Sequence, residues 1–544
     1  MTISKIWHSI TKPEWFFVGL VSLAAIIVTT APAIYGALVT PPNKIFTAMH
    51  FVSADDWFVY YSFINQAKGG SWLFKDLYSS LDHVAVFRPE WLVVGWLAKI
   101  FNLSAPLAFH LARILLIPAF FSAAYIYLAY LFADRWRRQL ALGFLSFSSG
   151  LGILFSYRLI LYPQNFAHGF FQWPMDLWVP DINTFLTLFV SPHFIAATIL
   201  VIAIFFFTSL FVESNSYWYA VWSGLCGLAL FSFHPFQVLK MLIIMFVFFV
   251  VWSLVKKNFF WSHALYYLIF TAISTPAVVY YLWLLKYDQL TMLRAIQNIN
   301  PTTPLYLTLV AFGGLLVLAV VGVYFLDKRG QLTQPKYLLI SVWAGAQLIL
   351  LYAPVNYQRR LALGIHFPLV VLTVIALVSI YAVHQQKINR HQVTVFVLLF
   401  LVFVPSTLFA LATEIMVFSQ ARQLSYIDVA VAQGFDWLKH YSPRGAVVFS
   451  SSSVGNILPA YAVRTSYVGH AVETPYFVER RIEPAWFFDH NRSPEVEQRF
   501  LTERNISYLF FGPDEQALGS FDPASKPYLQ QVFDSSGVKI YQVL

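Results

Sequence analysis

Runs of about 20 apolar residues recur along most of the chain, and a run of that length fits a hydrocarbon layer better than any soluble core. Only 11% of the 544 residues are charged, 58% are hydrophobic, and the mean hydropathy is +0.64. Soluble chains carry roughly 25% charged residues, so a surface this poor in charge needs lipid around it. The single cysteine, Cys226, excludes an intrachain disulfide and a cysteine zinc cage. A formal net charge of +9 would suggest nucleic acid in a soluble domain. In a polytopic chain Lys and Arg gather in cytoplasmic loops instead, so no nucleic-acid partner is expected.

Spans are expected near 15–39, 105–132, 139–157, 190–212, 217–232, 236–255, 260–283, 304–326, 336–353, 361–383 and 391–413, about 11 helices by the length criterion. The first has no small-residue cleavage site behind it and reads as a retained helix. The apolar segment RPEWLVVGWLAKIF (88–101) is too short to span and reads as interfacial. With it outside the count, Arg135, Arg137, Arg138, Lys256, Lys257, Lys328, Arg329, Lys387 and Arg390 all fall on the cytoplasmic side. The expected protein is a multi-pass plasma (inner) membrane protein with a cytoplasmic N-terminus and three external regions: a first loop at 40–104, the stretch 158–189, and everything after about 414.

At residue 420 the composition changes. An amphipathic run at 426–441, strand-like AVVFSSSS (446–453), TSYVG (465–469), ISYLFFG (506–512) and VKIYQVL (538–544), and a helical stretch at 495–504 read as a small α/β domain with a mainly parallel sheet. The expected organisation is a transmembrane domain at 1–419 and an external, periplasmic α/β domain at 420–544.

Ionisable residues at the bilayer midplane are the mark of a transporter. Here His110, Arg113, His193, His234, Lys240, Arg359, Arg360 and His366 interrupt the apolar runs near their expected external ends, which points any chemistry to the outer face. Asp55 and Asp56, in FVSADDWFVYY, could supply a general base with a pKa raised by aromatic surroundings. They could equally cap an interfacial helix, where its dipole favours acids. Arg359 and Arg360 stand on the side that the positive-inside rule disfavours. A planar guanidinium grips phosphate with two hydrogen bonds, so the pair suits a lipid phosphate; snorkelling to ordinary headgroups is the alternative. His193 in SPHF and His234 in FHPF could bond a phosphate oxygen, ligate a divalent metal (Mg or Mn) with Asp55 or Asp56, or satisfy themselves at helix ends. His168, Asp176 and Asp181 lie in FAHGFFQWPMDLWVPD, a substrate-contacting loop or an interfacial aromatic belt. In the tail, the Ser/Gly/Asn turn at 450–456 and His470 with Glu473 follow strand-like segments. Ligands bind at the carboxyl ends of parallel strands, but a structural turn accounts for the first as well. Sequons at Asn102, Asn491 and Asn505 occur at chance frequency and fix no compartment.

One span, a long loop opening on Asp55 and Asp56, the interfacial RPEWLVVGWLAKIF, a His/Arg-bearing second span (FHLARIL) and an external C-terminal domain together resemble the GT-C superfamily of polytopic membrane glycosyltransferases. The likeness extends over about 15–415, with a looser one in the tail to uncharacterised bacterial members. The chain has Asp-Asp-Trp where mannosyltransferases often have Asp-Glu, and no WWDYG, so the acceptor is undefined. The resemblance implies an inverting transferase that moves a sugar from a polyprenyl phosphate or pyrophosphate to a glycan, lipid or protein acceptor on the external face. Asp56, or Asp55, would be the base, with Tyr60 one helical turn on to orient Asp56. Arg359 and Arg360 would hold the leaving phosphate, assisted by His193, His234 and Arg113; Tyr60, His168, Asp176, His470 and Glu473 are weaker substrate contacts. The resemblance fixes no cofactor; a divalent metal, Mg or Mn, fits the scheme, and transfer from a polyprenyl phosphate can also proceed without one. A polyprenyl-lipid or sugar transporter and a catalytically inactive scaffold are the alternatives.

Overall fold

The computed structural model describes residues 3–155, 173–421 and 424–544. Among them, eight helices are long and apolar enough to cross a bilayer: Lys12–Leu38, Ala105–Leu131, Arg135–Phe155, Pro192–Ser214, Gln237–Lys256, Trp261–Tyr287, Leu305–Lys328 and His366–Gln385. Shorter apolar helices, Trp218–Phe233, Pro335–Leu350 and Pro405–Ser419, fall in the three remaining expected spans. Hydrocarbon offers backbone groups no partner, so such runs close their hydrogen bonds internally. The chain is a multi-pass membrane protein.

Three expected spans differ in detail. The run at 391–413 is broken into Gln392–Phe403 and Pro405–Ser419, because a proline has no N–H to continue the helical ladder. The run at 139–157 is regular α-helix only over Arg135–Phe147. Its three arginines stand on the helix rather than in a loop, and Arg138 reaches Glu14 at 3.1 Å. The run at 361–383 begins as a tight 3-10 turn, Gln358–Ala362, with the helix starting at His366. The short 88–101 segment forms the 12-residue helix Pro89–Ile100.

The chain divides into two compact units. One comprises residues 1–32, 112–281 and 299–413; the other comprises 33–111, 282–298 and 414–544. The whole expected C-terminal domain thus shares its unit with the first loop and with the helix Gln289–Gln297.

In that second unit, β1 (Lys44–Phe46) pairs antiparallel with β2 (Tyr426–Asp428), tying the start of the first loop to the start of the tail. The helix Ala54–Lys68 packs on Pro89–Ile100, where a side chain at Gly95 would collide with Ala67. Five further strands form one sheet: β3 (Val447–Phe449), β4 (Thr465–Ser466), β5 (Tyr508–Phe511), β6 (Leu529–Ser535) and β7 (Val538–Val543), in the order β4-β3-β5-β7-β6. The expectation of a mainly parallel sheet is half right. β3 runs parallel to β4 and β5, whereas β5–β7 and β7–β6 are antiparallel. The Ser535–Val538 turn, with Gly537 at φ 88, makes β6 and β7 a hairpin, which needs no crossover helix. The strand expected at 446–453 ends at Phe449, and the serines that follow begin the helix Ser452–Ala462. Phe449, Phe487, Phe488, Phe500, Leu509 and Tyr541 are prominent in the core.

Two candidate centres for catalysis and phosphate binding

An acidic centre forms in the second unit at the head of the helix Ala54–Lys68. The N-cap position is Ser53, in a left-handed conformation at φ 54 and with no side-chain cap hydrogen bond. Asp55 and Asp56 therefore occupy the first turn rather than the cap. The helix dipole favours both carboxylates there, and their side chains face the tail. Trp57, fully buried on Phe109 at 4.3 Å, anchors the turn below them. Before it, Glu414 accepts the amide N–H of Phe51 at 3.0 Å and meets His50 Nδ1 at 2.8 Å.

The tail supplies the partners. Asn456 Nδ2 donates to Asp55 Oδ1 at 3.3 Å, and His470 Nε2 lies 3.0 Å from Asp56 Oδ1. Two glycines allow the approach. A Cβ on Gly455 would strike the carbonyl of Val468, and one on Gly469 would strike the backbone of Gly455. Only bare backbone lets the 468–470 segment lie against the helix that carries Asn456. Tyr78 donates to the carbonyl of Asn456 at 2.8 Å.

Charges behind these residues are balanced locally. Arg294 forms ion pairs with Glu473 and, at 3.6 Å, with Asp76. Burial works against the Glu473 carboxylate, but Arg294, then His470 and Arg88, outweigh it and lower its pKa. Burial, followed by the charge of Glu473, raises Asp76. Asp55 is the most exposed of the four acids. The protein around its carboxyl raises its pKa, His470 opposes that and Asp56 adds to it, leaving a net upward shift. A carboxylate with a raised pKa that still reaches solvent has the properties of a general base.

A basic centre forms in the first unit. The tight turn Gln358–Ala362 presents Arg359 and Arg360, and its backbone is pinned from four sides. Asn300 O accepts from the amide of Arg359 (3.1 Å), Gln237 Nε2 donates to Arg360 O (2.9 Å), Gln347 Nε2 donates to Leu361 O (2.6 Å), and Lys240 Nζ donates to Leu363 O (2.6 Å). The Arg359 guanidinium lies over Trp178, 4.6 Å from the ring centre. Arg360 lies over Phe194 and reaches Asp181 at 3.3 Å. Burial raises the Asp181 carboxyl, although Arg360, Arg359 and Lys240 act against it.

His193 and His234 stack at 5.1 Å beside this turn, and His193 bonds Ser191 Oγ at 2.6 Å. His234 is only 5% exposed, yet among the described residues neither of its ring nitrogens has a hydrogen-bond partner; Asp181 Oδ1 and Gln237 Oε1 are in the same state. Buried polar atoms are nearly always bonded, so the His234 ring beside two arginines marks a place for a polar ligand. Two guanidinium groups against one carboxylate suit an anion.

Other expected site residues are held by partners of their own. Arg113 is wholly buried and donates to Thr29, Leu188 and Thr30 at 2.7, 3.2 and 2.9 Å. Asp176 is enclosed and accepts from the amide of Gly152 at 3.0 Å, bracing that turn. Tyr60 stacks on Trp91 at 4.5 Å. His168 lies outside the described residues. The serine turn after β3 is filled by the chain's own carboxylates: Glu515 accepts from the amide of Ser451 at 2.7 Å, and Asp514 accepts from Ser453. Among the described residues no group of three or more His, Cys, Asp and Glu side chains is placed to hold a metal ion.

No family model matches the sequence, and no curated protein matches it. Solved structures do. The apo form of the Archaeoglobus fulgidus oligosaccharyltransferase aligns with a TM-score of 0.53 at 12% identity, over 94% of this chain and 73% of that one. The same enzyme tethered to an acceptor peptide containing the NVT sequon gives 0.52 at 12% identity, over 90% and 68%. ArnT from Cupriavidus metallidurans bound to undecaprenyl phosphate gives 0.48 at 12% identity, over 96% and 97%. At these identities the likeness is one of architecture alone: the chain shares its fold with the Archaeoglobus fulgidus oligosaccharyltransferase.

Proposed function

We propose that the protein is an inverting glycosyltransferase that takes its sugar from a polyprenyl phosphate or pyrophosphate on the external face of the membrane. The observation that carries this reading is the acidic pair at the head of the helix Ala54–Lys68, each member met by a donor from the tail, on a fold shared with an oligosaccharyltransferase. A carboxylate of the pair accepts the proton of an acceptor hydroxyl as that oxygen bonds to the anomeric carbon. The bond from that carbon to the phosphate oxygen breaks, its electrons leave with the phosphate, and the configuration inverts. Arg359, Arg360 and His234 receive the phosphate, whose charge the two guanidinium groups match. Positioning and fixed charge supply most of the rate, because the leaving group needs no proton.

Two measurements test it. Membranes carrying wild-type protein or the Asp55→Asn, Asp56→Asn and double variants are supplied with labelled lipid-linked sugars, and transfer to endogenous acceptor is followed. Loss of transfer with normal membrane insertion supports the enzyme; wild-type transfer by the double variant overturns it. A photoreactive undecaprenyl phosphate should label the peptide that contains 359–360; labelling elsewhere rejects the phosphate-binding role of the two arginines.

A further inference from the structure

The segment 470–476 is clamped in place more firmly than a surface loop requires. Gln297 donates to the carbonyls of Val472 and Thr474 at 3.2 and 2.9 Å and accepts the amide of Tyr476 at 2.9 Å. Arg294, one turn earlier on the same helix, takes the Glu473 carboxylate. The clamp sets His470, 4% exposed, against Asp56.

The ring's other nitrogen decides what His470 can do. Its Nδ1 faces two backbone amides, those of Val472 at 3.2 Å and Glu473 at 3.1 Å. Both are donors, so Nδ1 must accept, and the imidazole proton is left on Nε2, pointing at Asp56. The charges of Asp56, Glu473 and Asp55 favour an imidazolium and, against burial, raise the His470 pKa. A proton on Nδ1 would oppose three donors to one another and break two hydrogen bonds, so the two amides work against that protonation and keep the N–H of the neutral ring on Nε2. The other charged and titratable groups facing this cluster are Asp76, Tyr78 and Arg88 from the first loop and Arg294 from the helix Gln289–Gln297.

We infer that the C-terminal domain is a working part of the acidic centre: His470 is a positioning residue that holds one fixed N–H on Asp56. On the glycosyltransferase reading, from which this follows, Asp56 is thereby committed as an orienting anion and Asp55 takes the acceptor's proton. Asp55 has only the longer bond from Asn456, and it is the more open of the two. This reverses the preference for Asp56 that the spacing to Tyr60 suggests.

Two substitutions separate positioning from simple loop support. Glutamine places an N–H where Nε2 stands but offers nothing at Nδ1; asparagine places an acceptor at Nδ1 but no donor at Nε2. The test is nitrogen-15 NMR of histidine-labelled full-length protein in nanodiscs, with the His470 signals assigned by their loss in His470→Gln. The expected result at pH 7 is a neutral Nε2–H ring whose Nε2 signal shifts on Asp56→Asn. An Nδ1–H ring, an imidazolium, or a signal indifferent to Asp56→Asn overturns the inference. In the transfer assay His470→Asn should fall at least about tenfold, the loss of a hydrogen bond to a charged group, and His470→Gln should recover most of it; the opposite order also overturns it. The spectrum needs no sugar substrate, so its failure removes this role for His470 and leaves the enzyme reading to the Asp55/Asp56 double variant.

Discussion

The acidic centre and the basic centre differ most in their histidines: His470 is bonded at both ring nitrogens, whereas among the described residues His234 finds a partner at neither. Around Asp55 and Asp56 the protein supplies the partners itself: Asn456, His470, and behind them Arg294 against Glu473 and Asp76. Around Arg360, both nitrogens of His234, one oxygen of Asp181 and the carbonyl of Gln237 are buried with no hydrogen-bond partner among the described residues. A group that must be oriented at every turnover is best fixed by protein, since fixed dipoles need no reorganisation during the reaction. A group that binds and releases a ligand needs bonding capacity that the protein does not itself use. This is the division of labour that the proposed function asks of the two centres.

The sharpest way to break that assignment is Asp55→Asn. Removing a general base should lower transfer by about 10²- to 10⁴-fold, with thermal stabilisation by undecaprenyl phosphate unchanged. A variant that transfers normally, or that loses lipid binding, contradicts the division. Arg360→Ala should act the other way round. It strands the buried Asp181 and should cost about 3 kcal/mol of stability, while abolishing stabilisation by the lipid phosphate. Adding Asp181→Asn should restore much of the stability and none of the binding, as read by thermal unfolding with and without lipid. His234→Leu is a finer test. Replacing a buried group that has no partner should stabilise the lipid-free protein by about 1 kcal/mol and weaken lipid-phosphate affinity; destabilisation would mean that the imidazole is satisfied after all. The smallest effect is on pH dependence. A base works deprotonated, so transfer is present above the Asp55 pKa and falls as pH drops through it. That pKa is raised, in part by Asp56, so in a partly active Asp56→Asn variant the acid limb of the pH–rate profile should move to lower pH. A shift upward would place the base elsewhere.

Much of this was readable one residue at a time. Carboxylates and guanidinium groups in a chain with 11% charged residues stand out because burying them is costly, so Asp55, Asp56, Arg359 and Arg360 could be picked from the string. Lys240 carried the same signal, as a lysine within an apolar run. Asn456 and His470 meet the acidic pair across sequence separations of 401 and 414 residues, and no local pattern encodes such a pairing. His470 and Glu473 were flagged for following a strand, a reason unrelated to the one that brings them to the site. Arg294 and Asp76 gave no sign at all. An arginine on a short polar helix and an aspartate in a loop look like solvated surface until the 470–476 segment buries them.

Apolar runs of bilayer length, with proline and charge at their ends, determine by themselves that this chain crosses a membrane many times and ends in an α/β tail, because hydrocarbon admits little besides closed helices. The sequence also names the acids and bases that such a chain must place with care. Which of them meet was decided by tertiary structure alone. A hydrogen bond forms over about 3 Å, and only folding brings residues 55, 56, 294, 456, 470 and 473 within that reach.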